Sequence, residues 1–313
     1  MLASVERSGV VEATHDGSVA AVRSNGTLVA SDGEVHRQYL ARSAAKPFQV
    51  KVAQSYGAAL APEQIAIGTA SHGGQPIHLA YVKEMLAEVD LDERALRCPP
   101  GWPYVPSAKV RLTSVGHRRP KPLFHNCSGK HAAMLRACVA MGWPIETYLS
   151  PSHPLQEANR EEFERMTGES AGVDAIDGCG IPVFSVSTAG LAKAYARLGS
   201  DQDYAQIWQA MHRYGALTSD WGAVPAAISQ WADVAAKGGA EGLIGISTRS
   251  DLGIAIKSRD GSMRPLGPVV LASLEQLRLI PILTRQYGAD RLSEPVWGGG
   301  GKVGSVLAEV MLT

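Results

Sequence analysis

Turn signals and short apolar runs crowd both ends of this 313-residue chain, and the middle carries long helical patterns. A chain with that layout builds its sheet from both termini and holds the helices as an insertion. Near the start, Ser18–Val22 and Thr27–Ala30 flank Asn25-Gly26, a two-residue turn signal, so a hairpin is expected over residues 17–33. Residues 35–40 could add a third strand. Near the end, strands are expected over 243–247, 252–256 and 303–312, with Asp260-Gly261 as another hairpin turn. Between them, helices are expected from the Ser43 region to Gly57, and over 77–89, 124–141, 154–167, 189–198, 204–214 and 226–236, with a late one over 269–279. The 154–167 helix is the best marked, with Pro154 in its first turn and Gly168 as its stop. The expected class is α/β in the α+β sense, an antiparallel-rich sheet with helices packed on it. Neither a repeat nor a clear linker divides the chain, so 1–313 reads as one domain of two lobes.

Thirty Lys and Arg balance thirty Asp and Glu, so no electrostatic footprint favours nucleic acid or an anionic membrane. The opening Met1-Leu2-Ala3-Ser4-Val5-Glu6-Arg7 turns polar too soon for a signal peptide, and no run reaches membrane-span length. The four cysteines, Cys98, Cys127, Cys138 and Cys179, are then expected to be reduced, at a cytoplasmic address.

The first chemical signal is Arg42-Ser43-Ala44-Ala45-Lys46-Pro47. If a helix starts here, Ser43 and Lys46 lie one turn apart on one face. Pro47 suits a first turn, and orphan N–H groups there favour negative charge. A buried Lys46 would shift toward its neutral form and could take the serine proton. One Ser-x-x-Lys also occurs by chance in chains of this length. Further on come Ser71-His72-Gly73-Gly74 and Lys237-Gly238-Gly239, each of which alone reads as an ordinary turn or helix stop. Their order matches that of the elements of serine β-lactamase-like acyl-transfer enzymes, although the Ser-Asp-Asn form of the middle element is missing.

Six stretches together resemble the asparaginase II family, the thermolabile, rhizobial-type L-asparaginases. They are Ser43-Ala44-Ala45-Lys46-Pro47, Ala70-Ser71-His72, His125 to His131, His153-Pro154-Leu155-Gln156, Asp177-Gly178-Cys179-Gly180 and Lys237 to Gly242. The resemblance implies a serine β-lactamase/glutaminase-like fold, a homodimer, and hydrolysis of the small molecule L-asparagine to aspartate and ammonia. It places serine–lysine pairs at Ser43 with Lys46 and at Ser71 with Lys237. It implies a zinc ion held by Cys127, Lys130 and Cys179, and puts Arg42, His72, His131 and Asp177 around substrate or metal. Spacing alone does not call for a metal: the two cysteines match no standard zinc signature, and His125 or His131 would be a more usual third ligand than lysine. Three protein ligands would leave an open position to orient the substrate's amino and carboxylate groups. Two nearby ammonium groups, Lys46 and Lys237, would depress one another's charge. A glutaminase, a β-lactamase-like amidase or peptidase, and a binding module that is acylated without turnover remain alternatives. Cys98 and Cys138 read as structural, and Trp208 with Met211, Trp221 and Trp231 as core or subunit contact.

Overall fold

The structure is a computed structural model that describes residues 1–220, 223–280 and 292–313. Its strands are β1 (Ala3–Arg7), β2 (Val10–His15), β3 (Gly17–Arg23), β4 (Leu28–Asp32), β5 (Gln38–Leu40), β6 (Val173–Ile176), β7 (Pro182–Ser187), β8 (Val234–Gly239), β9 (Leu243–Thr248), β10 (Leu252–Ser258), β11 (Pro295–Gly298) and β12 (Gly301–Ala308). Its helices are α1 (Lys46–Ser55), α2 (Pro62–Thr69), α3 (Pro76–Ala87), α4 (Pro106–Ser114), α5 (Ser128–Met141), α6 (Pro154–Thr167), α7 (Thr188–Ser200), α8 (Ala205–Arg213), α9 (Gly215–Thr218), α10 (Val224–Ile228) and α11 (Leu266–Gln276). Among the described residues no helix is long and apolar enough to cross a membrane.

The chain divides into two compact units. One comprises Met1–Ala44, Val186–Gln202 and Gly222–Thr313; the other comprises Ala45–Ser185 and Asp203–Trp221. In the first unit, both chain ends do supply the sheet strands, but as two antiparallel sheets. These run β11-β12-β1-β2 and β4-β3-β10-β9-β8. β9 and β10 are buried along their whole length. That explains their unbroken runs of apolar and small residues: a strand covered on both faces has no polar alternation to show. α7 lies on this sheet, started by Ser187, whose Oγ accepts the Gly190 N–H at 2.9 Å. Val5, Val19, Ile244, Ile254, Val269 and Leu274 belong to one buried core.

Several expectations shift. The first hairpin has a four-residue connection: Arg23 N–H donates to Thr27 O, and the register slips between Ala21 and Val22. The 35–40 stretch yields only the short β5. The helix expected over 226–236 stops at Ile228, and Val234 onward is β8, so Lys237 lies on a strand and not at a helix stop. Val234-Ala235-Ala236 is buried throughout, and a short apolar run of that kind carries no period to separate strand from helix. β1, β2 and β11 were not foreseen. The glycine run ahead of Lys302 is the turn between β11 and β12, with Gly299 at φ +57° and Gly300 at +84°, the conformation a tight hairpin demands. Trp208 and Met211 are buried, and Trp231 packs on the core of the first unit, while Trp221 lies outside the described residues.

The second unit is the helical insertion, with β6 and β7 as a hairpin. α6 spans the residues its sequence marks. His153 caps it through Nδ1, which accepts from Leu155 N–H at 3.2 Å, and Gly168 ends it at φ +71°. α5 starts directly after Cys127, and Ser128, Lys130 and His131 in its first turn are all buried. A polar helix start with no water around it must find its partners inside the protein.

Candidate active site

Ser43 sits in a 3₁₀ turn, Arg42–Ala45, that runs straight into α1. The helix has Pro47 in its first turn, as expected, but α1 proper begins at Lys46, so Ser43 precedes its N-cap. Arg42 is held at φ +47°, a left-handed conformation that costs a residue with a side chain about 1–3 kcal/mol. Two contacts in the first unit hold this turn. Tyr195, fully buried on α7, donates its hydroxyl proton to Ala44 O at 2.9 Å. A Cβ on Gly239 would lie 3.3 Å from Ala41 O, so the end of β8, two residues past Lys237, packs on the same stretch of backbone. Lys237 itself is 2 % exposed, and its Nζ donates to Gly238 O.

In the second unit Lys46 is completely buried. Its Nζ donates to Ala70 O and to Ser71 Oγ, the latter at 3.0 Å. Burial lowers its pKa, and the ammonium of Lys130 adds to that while the thiols of Cys127 and Cys179 oppose it. Ser71 is fixed through its backbone: N–H donates to Thr218 O at 3.1 Å, and its carbonyl accepts from Tyr104 Oη at 3.0 Å.

His72 is also completely buried. Its Nδ1 accepts from Gly74 N–H at 3.2 Å, so Nε2 carries the proton and donates to Ser128 Oγ at 2.9 Å. Ser128 in turn donates to Leu123 O at 2.9 Å. With both ring nitrogens engaged, His72 ties the Ser71 turn to the start of α5. Burial, with the nearby His78 and Lys46, holds its pKa well below the usual value and keeps it neutral. His131 is buried too: Nδ1 lies 2.6 Å from Tyr148 Oη, and Nε2 has no hydrogen-bond partner among the described residues. Tyr148 Oη accepts from Arg97 N–H at 3.0 Å, which leaves its own proton for His131 Nδ1.

Cys127 and Cys179, 52 positions apart in the chain (179 minus 127), come together. The two thiols interact electrostatically, Lys130 Nζ lies 3.1 Å from Cys179 Sγ, and Cys179 Sγ lies 3.4 Å from Asp177 Oδ2. The neighbouring Cys179 thiol, opposed by burial and helped by the cations Lys46 and Lys130, holds Cys127 well below the normal thiol range. Cys179 is pushed up, by the neighbouring Cys127 thiol and by burial. Burial pulls Lys130 down, but Cys179, Cys127 and Asp177 more than offset it and keep the ammonium charged.

Among the described residues no three His, Cys, Asp or Glu side chains gather as metal ligands. What gathers is two thiols and an amine. That donor set fits zinc: thiolate sulfur and a nitrogen donor are ligands it takes, one thiol is already disposed to lose its proton, and a divalent charge would displace the proton of Lys130.

Of the residues expected from sequence, Lys46, Ser71, Cys127, Lys130, Cys179 and Asp177 thus form one connected cluster in the second unit, and Ser43 and Lys237 lie in the first. Tyr104, Tyr148 and Tyr195 had no sequence signal, and Ser128 had only its place in the His125 to His131 stretch.

No curated protein sequence matches the chain. Among solved structures it is similar to Mglu in its glutamate form, at 15% identity and TM-score 0.46, over 86% of this chain and 63% of that one. It is also similar to a Bacillus glutaminase in 4.3 M NaCl, at 12% identity and TM-score 0.45, over 84% and 91% of the two chains. A probable glutaminase, ybaS, matches at 13% identity and TM-score 0.41, over 79% and 80%. The chain spans less than two thirds of the length of Mglu. The family described as L-asparaginase II matches residues 3–308. The chain therefore belongs to the L-asparaginase II family.

Proposed function

We propose that this protein hydrolyses the side-chain amide of L-asparagine to aspartate and ammonia through an acyl-serine. The observation that carries the reading is Lys46: an amine wholly inside the protein, 3.0 Å from Ser71 Oγ, three positions along a continuous helical stretch from Ser43. An amide is a poor electrophile, so its cleavage needs an activated nucleophile, a stabilised oxyanion and a proton for the departing nitrogen. Ser43 Oγ bonds to the amide carbon while its proton passes to Lys46 Nζ, with Ser71 Oγ as the relay. N–H groups at Ser43 and on β8 beyond Lys237 receive the negative oxygen, and Lys237 adds positive charge. The C–N bond then breaks as Lys46 returns the proton to nitrogen, and ammonia leaves an aspartyl ester on Ser43. Water, giving its proton to Lys46, cleaves the ester, and Ser43 regains its hydrogen. Arg42 meets the substrate carboxylate; His131, Asp177 and the Ser71–His72 turn shape the surroundings.

Cys127, Cys179 and Lys130 would hold the zinc ion, which when bound supplies positive charge and an open coordination position for a substrate carboxylate or carbonyl. The proposal includes a homodimer working in the cytoplasm. Ammonia release from asparagine, from glutamine and turnover of a chromogenic β-lactam, each with and without chelator, test it. Asparagine is expected to be the preferred substrate, with a higher KM after chelation. Preference for glutamine, or no ammonia from asparagine, would overturn it.

A further inference from the structure

The Ser71-His72-Gly73-Gly74 turn is gripped on one side by the loop of Tyr104 and Val105 and on the other by Thr218 and Asp220. A Cβ on Gly73 would meet Asp220 Oδ2 and Val105 Cγ2, each at 2.7 Å. The missing side chain is what lets a carboxylate lie directly on the turn that carries Ser71. Asp220 is only partly buried, and among the described residues it makes neither an ion pair nor a hydrogen bond. Its charge falls on His78 and Tyr104: it raises the pKa of His78, which burial nonetheless holds below the usual value, and burial and Asp220 together push the Tyr104 phenol up to about 12. Asp177 is different. Its carboxylate already faces Cys179 and the ammonium of Lys130. Asp177 is thus matched, whereas Asp220 has no ion-pair partner among the described residues and lies on the turn that carries Ser71.

An amino-acid amide brings two charges besides its reacting group, an α-carboxylate and an α-ammonium. An unmatched carboxylate at the edge of the site is the complement of the second. We propose that Asp220 receives the α-ammonium group of the substrate and so makes the site select α-amino amides over plain amides. The proposal rests on the amidohydrolase reading above. Tyr104 acts as a positioning residue, holding the Ser71 carbonyl so that the turn and Asp220 keep their spacing.

The test measures binding of L-aspartate and of succinate, which lacks only the amino group, by calorimetry to the full-length protein. Wild type is expected to prefer L-aspartate, and Asp220→Asn to weaken L-aspartate by about tenfold or more while leaving succinate within about twofold. Asp220→Glu, which keeps the charge, is expected to retain part of the preference. Equal losses for both ligands in Asp220→Asn, or no preference in wild type, would overturn the assignment. Thermal unfolding of both variants separates either result from a folding defect. Ammonia release is read in parallel: preference for L-aspartate without release from asparagine would sink the hydrolysis reading and leave the role of Asp220 standing.

Discussion

Tyr195→Phe isolates one hydrogen bond behind the Ser43 turn. The tyrosine hydroxyl reaches Ala44 O at 2.9 Å, and both residues are wholly buried. The ring is clamped independently of that bond: a Cβ on Gly245 of β9 would come within 2.3 Å of it. Phenylalanine therefore keeps the ring in place and opens almost no cavity, so the loss is confined to the hydroxyl. The carbonyl of Ala44 is left buried without this donor, which costs about 1–3 kcal/mol. That cost falls on the residue next to the proposed nucleophile, in a turn where Arg42 is already at φ +47°. If the turn relaxes to recover a partner, Ser43 moves away from its reactive position, and each 1.4 kcal/mol corresponds to about tenfold in rate. The expectation is a kcat for asparagine lowered about tenfold with KM little changed, and a urea midpoint lowered in proportion to about 1–3 kcal/mol. Steady-state ammonia release and urea unfolding of the same preparations measure both. A stability loss with kcat intact would refute the claim that Tyr195 positions Ser43, and no change in either would refute the cost assigned to the bond.

Two further outcomes are expected. Ser128→Ala leaves the Nε2–H of His72 without its acceptor and should destabilise the protein by about 1–3 kcal/mol in urea unfolding, with little change in volume. His72 titrates well below the ordinary histidine value of 6.5 in the folded state, so the ring is neutral when folded and takes a proton when unfolded. Its contribution is fully present above 6.5 and is lost as pH falls below it, so the urea midpoint should be lower at about pH 5.5 than at about pH 7.5. A His72→Gln variant should show a shallower pH dependence than wild type, and an equal slope would remove His72 as the cause.

Local signals carried the sequence reading furthest. α6 was legible to its ends because Pro154 and Gly168 act within one turn of themselves, and α5 stopped at Gly142 for the same reason. The Ser43–Lys46 stretch was legible because Pro47 marks a first helical turn. β8 was not, because Val234-Ala235-Ala236 is covered on both faces and so carries no alternation. The pairing of Cys127 with Cys179 was not legible from spacing either; only the resemblance linked them, and the packing of α5 against the Asp177–Gly180 turn brings them together. Asp220, Tyr148 and Tyr195 act through contacts made far along the chain from their own position, and nothing in their neighbours' identities announces that.

The central claim is that Ser43 carries the acyl group, and rapid-quench mass spectrometry on the enzyme turning over L-asparagine tests it most directly. The account predicts a transient gain of one aspartyl group on the peptide containing Ser43, absent in Ser43→Ala. Full turnover by Ser43→Ala, or an adduct on any other residue, would contradict it.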